Sequence, residues 1–326
     1  MNRLRAASET AGAASTAQFA DDVRYYLAQT PRQLPSRYLY DALGSALFEA
    51  ICELPWYRIT RAETRLLAAH GGAIFSALPS LGRLVELGSG NGSKLATLLA
   101  ARPAAAPDLQ LDLIDISATA LERAAAAAGR FPRVRVTGHR TTYEAGMEEI
   151  ARTDPTGRTL VLFLGSNIGN FDPPSADALL RHIRTSVRSG DALLLGLDLV
   201  KPEAELLAAY DDPLGVTASF NRNLLVRINR ELDGDIDVSA FAHRAIWNAA
   251  AGRMEMHLVS TRRQRVRIGA VGLDLSFEAG ETIWTESSYK YRLEDVPRLL
   301  ARAGFDARRH WVDAAAGFAL SLSEAR

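Results

Sequence analysis

Residues Arg83–Lys94 read RLVELGSGNGSK: an apolar strand that runs straight into a turn with glycine at every second position, Gly88, Gly90 and Gly92. Such a turn forms where the backbone takes positive φ or lets a ligand approach closely, since glycine has no Cβ to forbid either. The helical pattern SKLATLLAAR follows at once. A strand–turn–helix corner of this kind lies at the carboxyl edge of an α/β sheet, where these folds bind ligands. Outward from it, the alternation of strand and helix repeats. LQLDLIDIS precedes ATALERAAAAAGRF, and the weaker RVRVTG precedes a helix near Tyr143–Arg152. TLVLFLGS precedes SADALLRHIRTSVRSGD and the apolar ALLLGLDLV. Apolar runs of strand length between helical patterns predict parallel strands buried on both faces. The C-terminus breaks the rule. LEDVPRLLARAGF reads as a helix, and ARRHWVDA with GFALSLSEA as an antiparallel pair that closes the sheet.

A different pattern occupies the stretch between. About Pro202 to Arg230 is helical, and RMEMHLVSTRRQRVRIGAVGLDLSFEAGETIWTESSYKY alternates with period two, like a meander. The fold expected is α/β, a mostly parallel Rossmann-like sheet with an antiparallel C-terminal strand, plus a second α+β domain. Residues 61–201 and 288–326 would form the first domain. The second would combine 18–60 with the insertion 202–287. Residues 1–17 are expected to be a disordered leader, becoming helical near Ala17. No internal repeat is visible.

Composition narrows the function. At 326 residues the chain exceeds what one core usually holds. An apolar content of 48% with 23% charged residues is that of a folded soluble protein. The formal net charge is zero and no basic run tracks a phosphate backbone, which disfavours nucleic acid as a partner. Cys52 stands alone and can close no internal disulfide, as in a reducing, cytoplasmic setting. No apolar stretch has signal-peptide or membrane-spanning length. No obligate protein partner is evident. The six histidines show no metal-ligand spacing, so no metal is expected.

The glycine spacing separates two kinds of cofactor loop. A dinucleotide fold uses G-x-G-x-x-G, whereas here the third glycine comes one residue early and Glu86 precedes the first by two. E-x-G-x-G-x-G resembles motif I of class I S-adenosylmethionine methyltransferases, which makes Glu86, Gly88, Ser89 and Gly90 candidate cofactor residues. Asp115 ends the second strand, where a carboxylate can accept both ribose hydroxyls. A nicotinamide site with a displaced third glycine is the competing reading.

More widely, the chain resembles the L-histidine Nα-methyltransferases of ergothioneine biosynthesis, a family with relatives acting on other aromatic amino acids. The resemblance runs from LPSRYLYDALGSALFEAICELPWY through LFLGSNIGNF, LLLGLDLVK, AAYDDPLGVTASFNRNLLVRINREL, RMEMHLVS and ETIWTESSYKY. It implies S-adenosylmethionine as methyl donor and adds Tyr40 and Lys94 to the cofactor side. On the amino-acid side it implies Tyr57 and Asn170, the residues nearest the chemistry, with Gly165 and Tyr210. Phe48, Thr217, Phe220 and Met256 would line the pocket, and Glu286 and Ser288 would address the imidazole. Phenols and an amide are neutral donors suited to a substrate carboxylate. A glutamate facing a ring N–H orients an imidazole.

On residue type alone, Tyr57 and Tyr210 are ordinary core tyrosines, Glu286 an edge charge, Lys94 a surface lysine and Met256 core packing. The chain also departs from the family pattern. Asn91-Gly92-Ser93-Lys94 replaces Thr/Ser-Ser-x-Lys, and Asn167 stands where threonine is usual. GHRTTY occupies the place of Gly-Asp-Phe, so the adenine contact near His139 is unassigned. The expected product is trimethylhistidine, hercynine. Methylation of another amino acid such as tryptophan, a nicotinamide-dependent oxidoreductase and a catalytically silent S-adenosylmethionine-binding regulator are the alternatives.

Overall fold

The computed structural model describes residues 3–5, 10–153 and 156–326, and the chain divides into two compact units. The first comprises Met1–Ala7, Ile59–Val200 and Lys290–Arg326; the second comprises Ser8–Arg58 and Lys201–Tyr289.

The first unit is built on one sheet. The strands Val134–Arg140, Leu109–Asp115, Leu81–Leu87, Arg158–Phe163 and Ala192–Asp198 lie side by side in that order, all parallel. The short strand Arg3–Arg5 extends the Val134–Arg140 edge in parallel. Phe318–Ala325 adds antiparallel to Ala192–Asp198, and Phe305–Asp313 closes the far edge antiparallel to it. These run as the apolar patterns predict. Ala192–Asp198 is buried along its whole length because both sheet faces are covered. The strand order reverses direction at Leu81–Leu87, so the ends of this strand and of Arg158–Phe163 open the crevice where such folds take ligands. This is the class I methyltransferase fold.

The second unit contains the helices Thr10–Leu27, Ala42–Glu53, Glu203–Tyr210 and Val216–Leu232. Its main sheet has the order Arg32–Gln33, Thr282–Tyr289, Arg253–Ser260, Phe241–Asn248. Two expectations are corrected here. The period-two segment is not one meander: Gln264–Ile268 and Leu273–Phe277 form a separate two-stranded ribbon, and Thr282–Tyr289 returns to pair with Arg253–Ser260. Phe241–Asn248, which has no sharp alternation, is a further strand on that sheet. In the leader, residues 1–2 and 6–9 lie outside the described residues, and the first helix begins at Thr10 rather than near Ala17.

Asp41 binds two helices of this unit together. Its Oδ1 accepts the Gly44 N–H at 2.7 Å, capping Ala42–Glu53, and also the buried Asn223 amide at 2.7 Å. Its Oδ2 accepts from Arg230 at 2.6 Å, so the cap is also a tether to Val216–Leu232. Burial would raise this carboxyl, and the bonds from Arg230, Gly44 and Asn223 outweigh it and hold it below its ordinary value. Asp41→Ala loses a cap and strands a buried amide, and should cost about 2–4 kcal/mol in chemical denaturation. Asp41→Asn, which keeps an acceptor for Gly44, should recover part of that loss.

Candidate active site

The glycine turn sits at the head of Leu81–Leu87 with all three glycines at positive φ, +79° for Gly88, +52° for Gly90 and +75° for Gly92. Each is needed for a different reason. A Cβ on Gly92 would lie 2.6 Å from the Ala124 Cα, so this glycine packs one helix on another. A Cβ on Gly88 would meet the Tyr143 hydroxyl at 2.8 Å and the Asn167 amide nitrogen at 2.9 Å. Gly90 faces open space within 4 Å. It is the point where a ligand can reach bare backbone.

Around that opening the polar groups are buried. Glu86 is 3% exposed, and its Oε2 has no hydrogen-bond partner; neither does the Ser89 Oγ. Burial pushes the Glu86 carboxyl up to about 8, with Lys94 drawing it down and Asp115 and Glu63 pushing it further up. Asp115 is held by backbone: Oδ2 accepts the Ser89 N–H at 2.9 Å and Oδ1 the Ser117 N–H at 2.8 Å. Burial raises this carboxyl too, against the pull of those N–H groups. The Gly90 and Ile116 N–H groups act on the same carboxylate.

Lys94 makes an ion pair with Glu63 at 2.5 Å. Glu63 is fully buried, and both of its oxygens accept the Gly165 N–H, at 2.9 and 2.8 Å. Lys94 therefore braces the turn after Arg158–Phe163. In that turn Gly165 and Ser166 have φ +75° and +56° and the 3-10 segment Asn167–Asn170 follows. The Ser166 hydroxyl accepts the Asp198 N–H at 2.9 Å, which locks the strained residue in place. His139 is engaged at both ring nitrogens, by Asp112 and Glu149, each at 2.9 Å, and Asp112 also pairs with Arg83 at 3.1 Å. The bond to Asp112 holds the imidazole above its usual pKa. Glu63 and Tyr143 are site-lining residues that the sequence did not single out; each sits in an ordinary helical pattern, and only tertiary packing turns it inward.

In the second unit most of the candidate residues come together. Tyr40, Phe48, Tyr57, Phe220 and Tyr210 form a continuous aromatic set, with ring centroids 5.5 to 6.4 Å apart. Tyr40 belongs to this set rather than to the unit that carries the glycine turn. Thr217 lies buried one turn from Phe220 on Val216–Leu232, whose first turn Asp212 caps through the Thr217 N–H at 2.7 Å. Met256 and Glu286 are direct cross-strand partners, as are Met254 and Ser288. The Tyr210 hydroxyl donates to the Ser288 Oγ at 2.8 Å.

A model of histidine-specific, S-adenosylmethionine-dependent methyltransferases matches residues 19–325. The chain belongs to that family. Histidine N-alpha-methyltransferase of Mycobacterium tuberculosis is 44% identical over 309 residues, 93% of each chain. Ergothioneine biosynthesis protein 1 of Neurospora crassa is 30% identical over 288 residues, 86% of this chain and 32% of that protein. A 4-dimethylallyltryptophan N-methyltransferase of Claviceps purpurea is 28% identical over 308 residues, 88% of this chain and 89% of that protein.

The family's methyl donor is a cation with a polar tail. The glycine turn suits it, because Glu86 Oε2 and Ser89 Oγ are buried acceptors in want of a partner and Gly90 is open. Two outcomes follow. Asp115→Ala should weaken S-adenosylmethionine binding by about 2–3 kcal/mol in calorimetry while the fold survives. Below about pH 8 the free protein holds Glu86 protonated, so binding a cationic ligand beside it should release a proton and tighten as pH rises toward that value. Calorimetry of S-adenosylmethionine, without amino-acid substrate, in buffers of different ionisation enthalpy should show this release in the native protein and its loss in Glu86→Gln.

Proposed function

We propose that the protein methylates the α-amine of L-histidine three times in succession, passing through mono- and dimethylhistidine to hercynine, the first step of ergothioneine biosynthesis. The observation that carries this reading is the strand pairing that sets Glu286 and Ser288 on the buried face with Met256 and Met254, with Tyr210 bonded to Ser288. A carboxylate and a hydroxyl beside an aromatic lining suit a side chain that is flat, apolar on its faces and polar at two ring nitrogens.

S-adenosylmethionine supplies an already activated methyl on a sulfonium, so the protein's contribution is alignment of the amine. Glu86, Gly88, Ser89, Gly90 and Asp115 are assigned to hold the donor, with Lys94 bracing the adjoining turn and Tyr40 contributing an aromatic wall. Tyr57 and Asn170 are assigned to the substrate carboxylate, as neutral donors that bring no competing charge. Gly165 leaves room at the same turn, and Phe48, Thr217 and Phe220 shape the lining. A phenol and an amide take up no proton at neutral pH, so the amine gives its proton to water before each attack. Because nitrogen grows bulkier with each round, recognition rests on the carboxylate and the ring. A second reading, methylation of another aromatic amino acid such as tryptophan, is favoured only by the similarity to the Claviceps enzyme. Glu286 could equally accept an indole N–H.

Purified protein with S-adenosylmethionine and a panel of free amino acids, products read by mass, tests the assignment: histidine should give the trimethylated product. Glu286→Ala should then lower kcat/KM for histidine by roughly 10- to 200-fold. It should cost phenylalanine far less, since the carboxylate is also the main penalty for an apolar ring, and tryptophan by an amount that reads out whether Glu286 takes its indole N–H. Equal losses for all three would make Glu286 a structural residue.

A further inference from the structure

Thr282–Tyr289 does not keep a strict period of two. Trp284 pairs with His257 and Glu286 with Met256, so two residues that are two apart in one strand face two that are adjacent in the other. Thr285 is the extra residue of a β-bulge. Were Thr285 paired regularly, with no bulge, Glu286 and Ser288 would share a face with Trp284. With the bulge, Trp284 stacks on His257 and carries the Arg253 guanidinium over its ring at 4.4 Å, while Glu286 and Ser288 turn to the opposite, buried face.

The bulge is clasped. The Thr285 hydroxyl donates to the Asn221 Oδ1 at 2.6 Å, with the Met256 carbonyl a longer alternative at 3.0 Å. The Asn221 amide nitrogen donates to the His257 carbonyl at 3.2 Å and meets His243 Nδ1 at 2.9 Å. A carbonyl can only accept, which fixes the amide's orientation and makes His243 Nδ1 an acceptor. The ring proton is therefore on Nε2, which donates to the Tyr210 carbonyl at 2.8 Å. Asn221 is fully buried and the His243 side chain is 2% exposed. The chain of bonds thus starts at the bulge beside Glu286 and ends on the backbone of Tyr210, whose hydroxyl returns to Ser288.

We infer that Thr285, Asn221 and His243 are positioning residues for amino-acid recognition: they hold the bulge that turns Glu286 and Ser288 inward and, through the same bonds, the height of Tyr210. The inference rests on the proposed function above. His243 works only as a neutral ring, because a second ring proton would face the Asn221 N–H. Burial favours that form, the Tyr210 carbonyl opposes it, and so do Asp211 at 3.9 Å and Asp212, while Arg222 supports it; the net shift is downward.

The test pairs each disabling variant with a conservative one in the full chain. Thr285→Val keeps the volume and loses the hydroxyl, and Thr285→Ser restores it. His243→Phe loses both bonds, and His243→Gln can still donate to the Tyr210 carbonyl. Thr285→Val and His243→Phe should raise KM for histidine about 10-fold or more, with kcat and S-adenosylmethionine affinity within about twofold. Thr285→Ser and His243→Gln should stay close to the native enzyme. The native-to-Gln ratio of kcat/KM, in which the substrate's own titration cancels, should be flat near neutrality and fall only at a pH below the ordinary imidazole range, as His243 protonates. An unchanged KM in the disabling pair, or Thr285→Ser as impaired as Thr285→Val, overturns the inference. Hydrogen exchange gives a readout that needs no substrate: in Thr285→Val the amides of Thr282–Tyr289 should exchange faster while those of Leu81–Leu87 do not. Should native protein leave histidine unmethylated, the proposed function falls. Unchanged exchange along Thr282–Tyr289 would then still sink this inference on its own.

Discussion

A single buried carboxylate organises the ligand edge of the first unit. Glu63 is fully buried at the start of the helix Ile59–Ser76, yet both of its oxygens take the Gly165 N–H and one takes the Lys94 ammonium. A buried charge is tolerated only when it is paired and hydrogen-bonded, and removing one partner of such a pair typically costs about 3–5 kcal/mol. Three elements are thereby fixed at once: the helix carrying Glu63, the helix that opens after the glycine turn, and the strained turn at Gly165 and Ser166. The neighbouring strand must yield as well. A Cβ at Gly196 would stand 2.2 Å from a Glu63 oxygen, so a glycine in the middle of an otherwise bulky apolar strand is there to admit the carboxylate.

This arrangement gathers carboxyl groups beside the glycine turn. Glu63 and Asp115 both act electrostatically on Glu86, and Lys94 opposes them. Burial, which raises the Glu86 carboxyl to about 8, favours its neutral form near neutrality, so the free protein avoids an uncompensated buried anion there. The aromatic set of the second unit is built the other way, from rings and neutral hydroxyls. The two kinds of surface match the two kinds of ligand that the family handles.

The sheet was legible in the sequence because parallel strands buried on both faces must be continuously apolar, and RLVEL, LDLID, LVLFL and LLLGL are. The glycine turn was legible for a similar reason, since three positive-φ positions demand glycine. Glu63 was not, because a carboxylate in a helical pattern reads as surface until a glycine on a distant strand makes room for it. The placement of Glu286 and Ser288 was not legible either. Periodicity puts Trp284, Glu286 and Ser288 on one face, and only the pairing with Arg253–Ser260 reveals the interruption at Thr285. The return of Thr282–Tyr289 past the ribbon was hidden as well, since alternation marks strands but not their neighbours.

The bulge has a consequence for how such enzymes diverge. Upstream of Thr285 one parity of the strand faces inward, and downstream the other does, so the inner set Ile283, Glu286 and Ser288 is spaced three and then two. The bulge absorbs one residue: a strand lacking Thr285 would run regularly from Trp284 into Glu286 and keep Ile283, Glu286 and Ser288 inward, whereas a strand that keeps Thr285 but pairs it regularly would turn everything beyond it outward, with no substitution at all. A relative with the same residue count and no bulge would present Thr285, Ser287 and Tyr289 on the inner face in place of Glu286 and Ser288. Whether this strand bulges is thus as strong a lever on what faces inward as residue identity, and one that residue identity alone does not display.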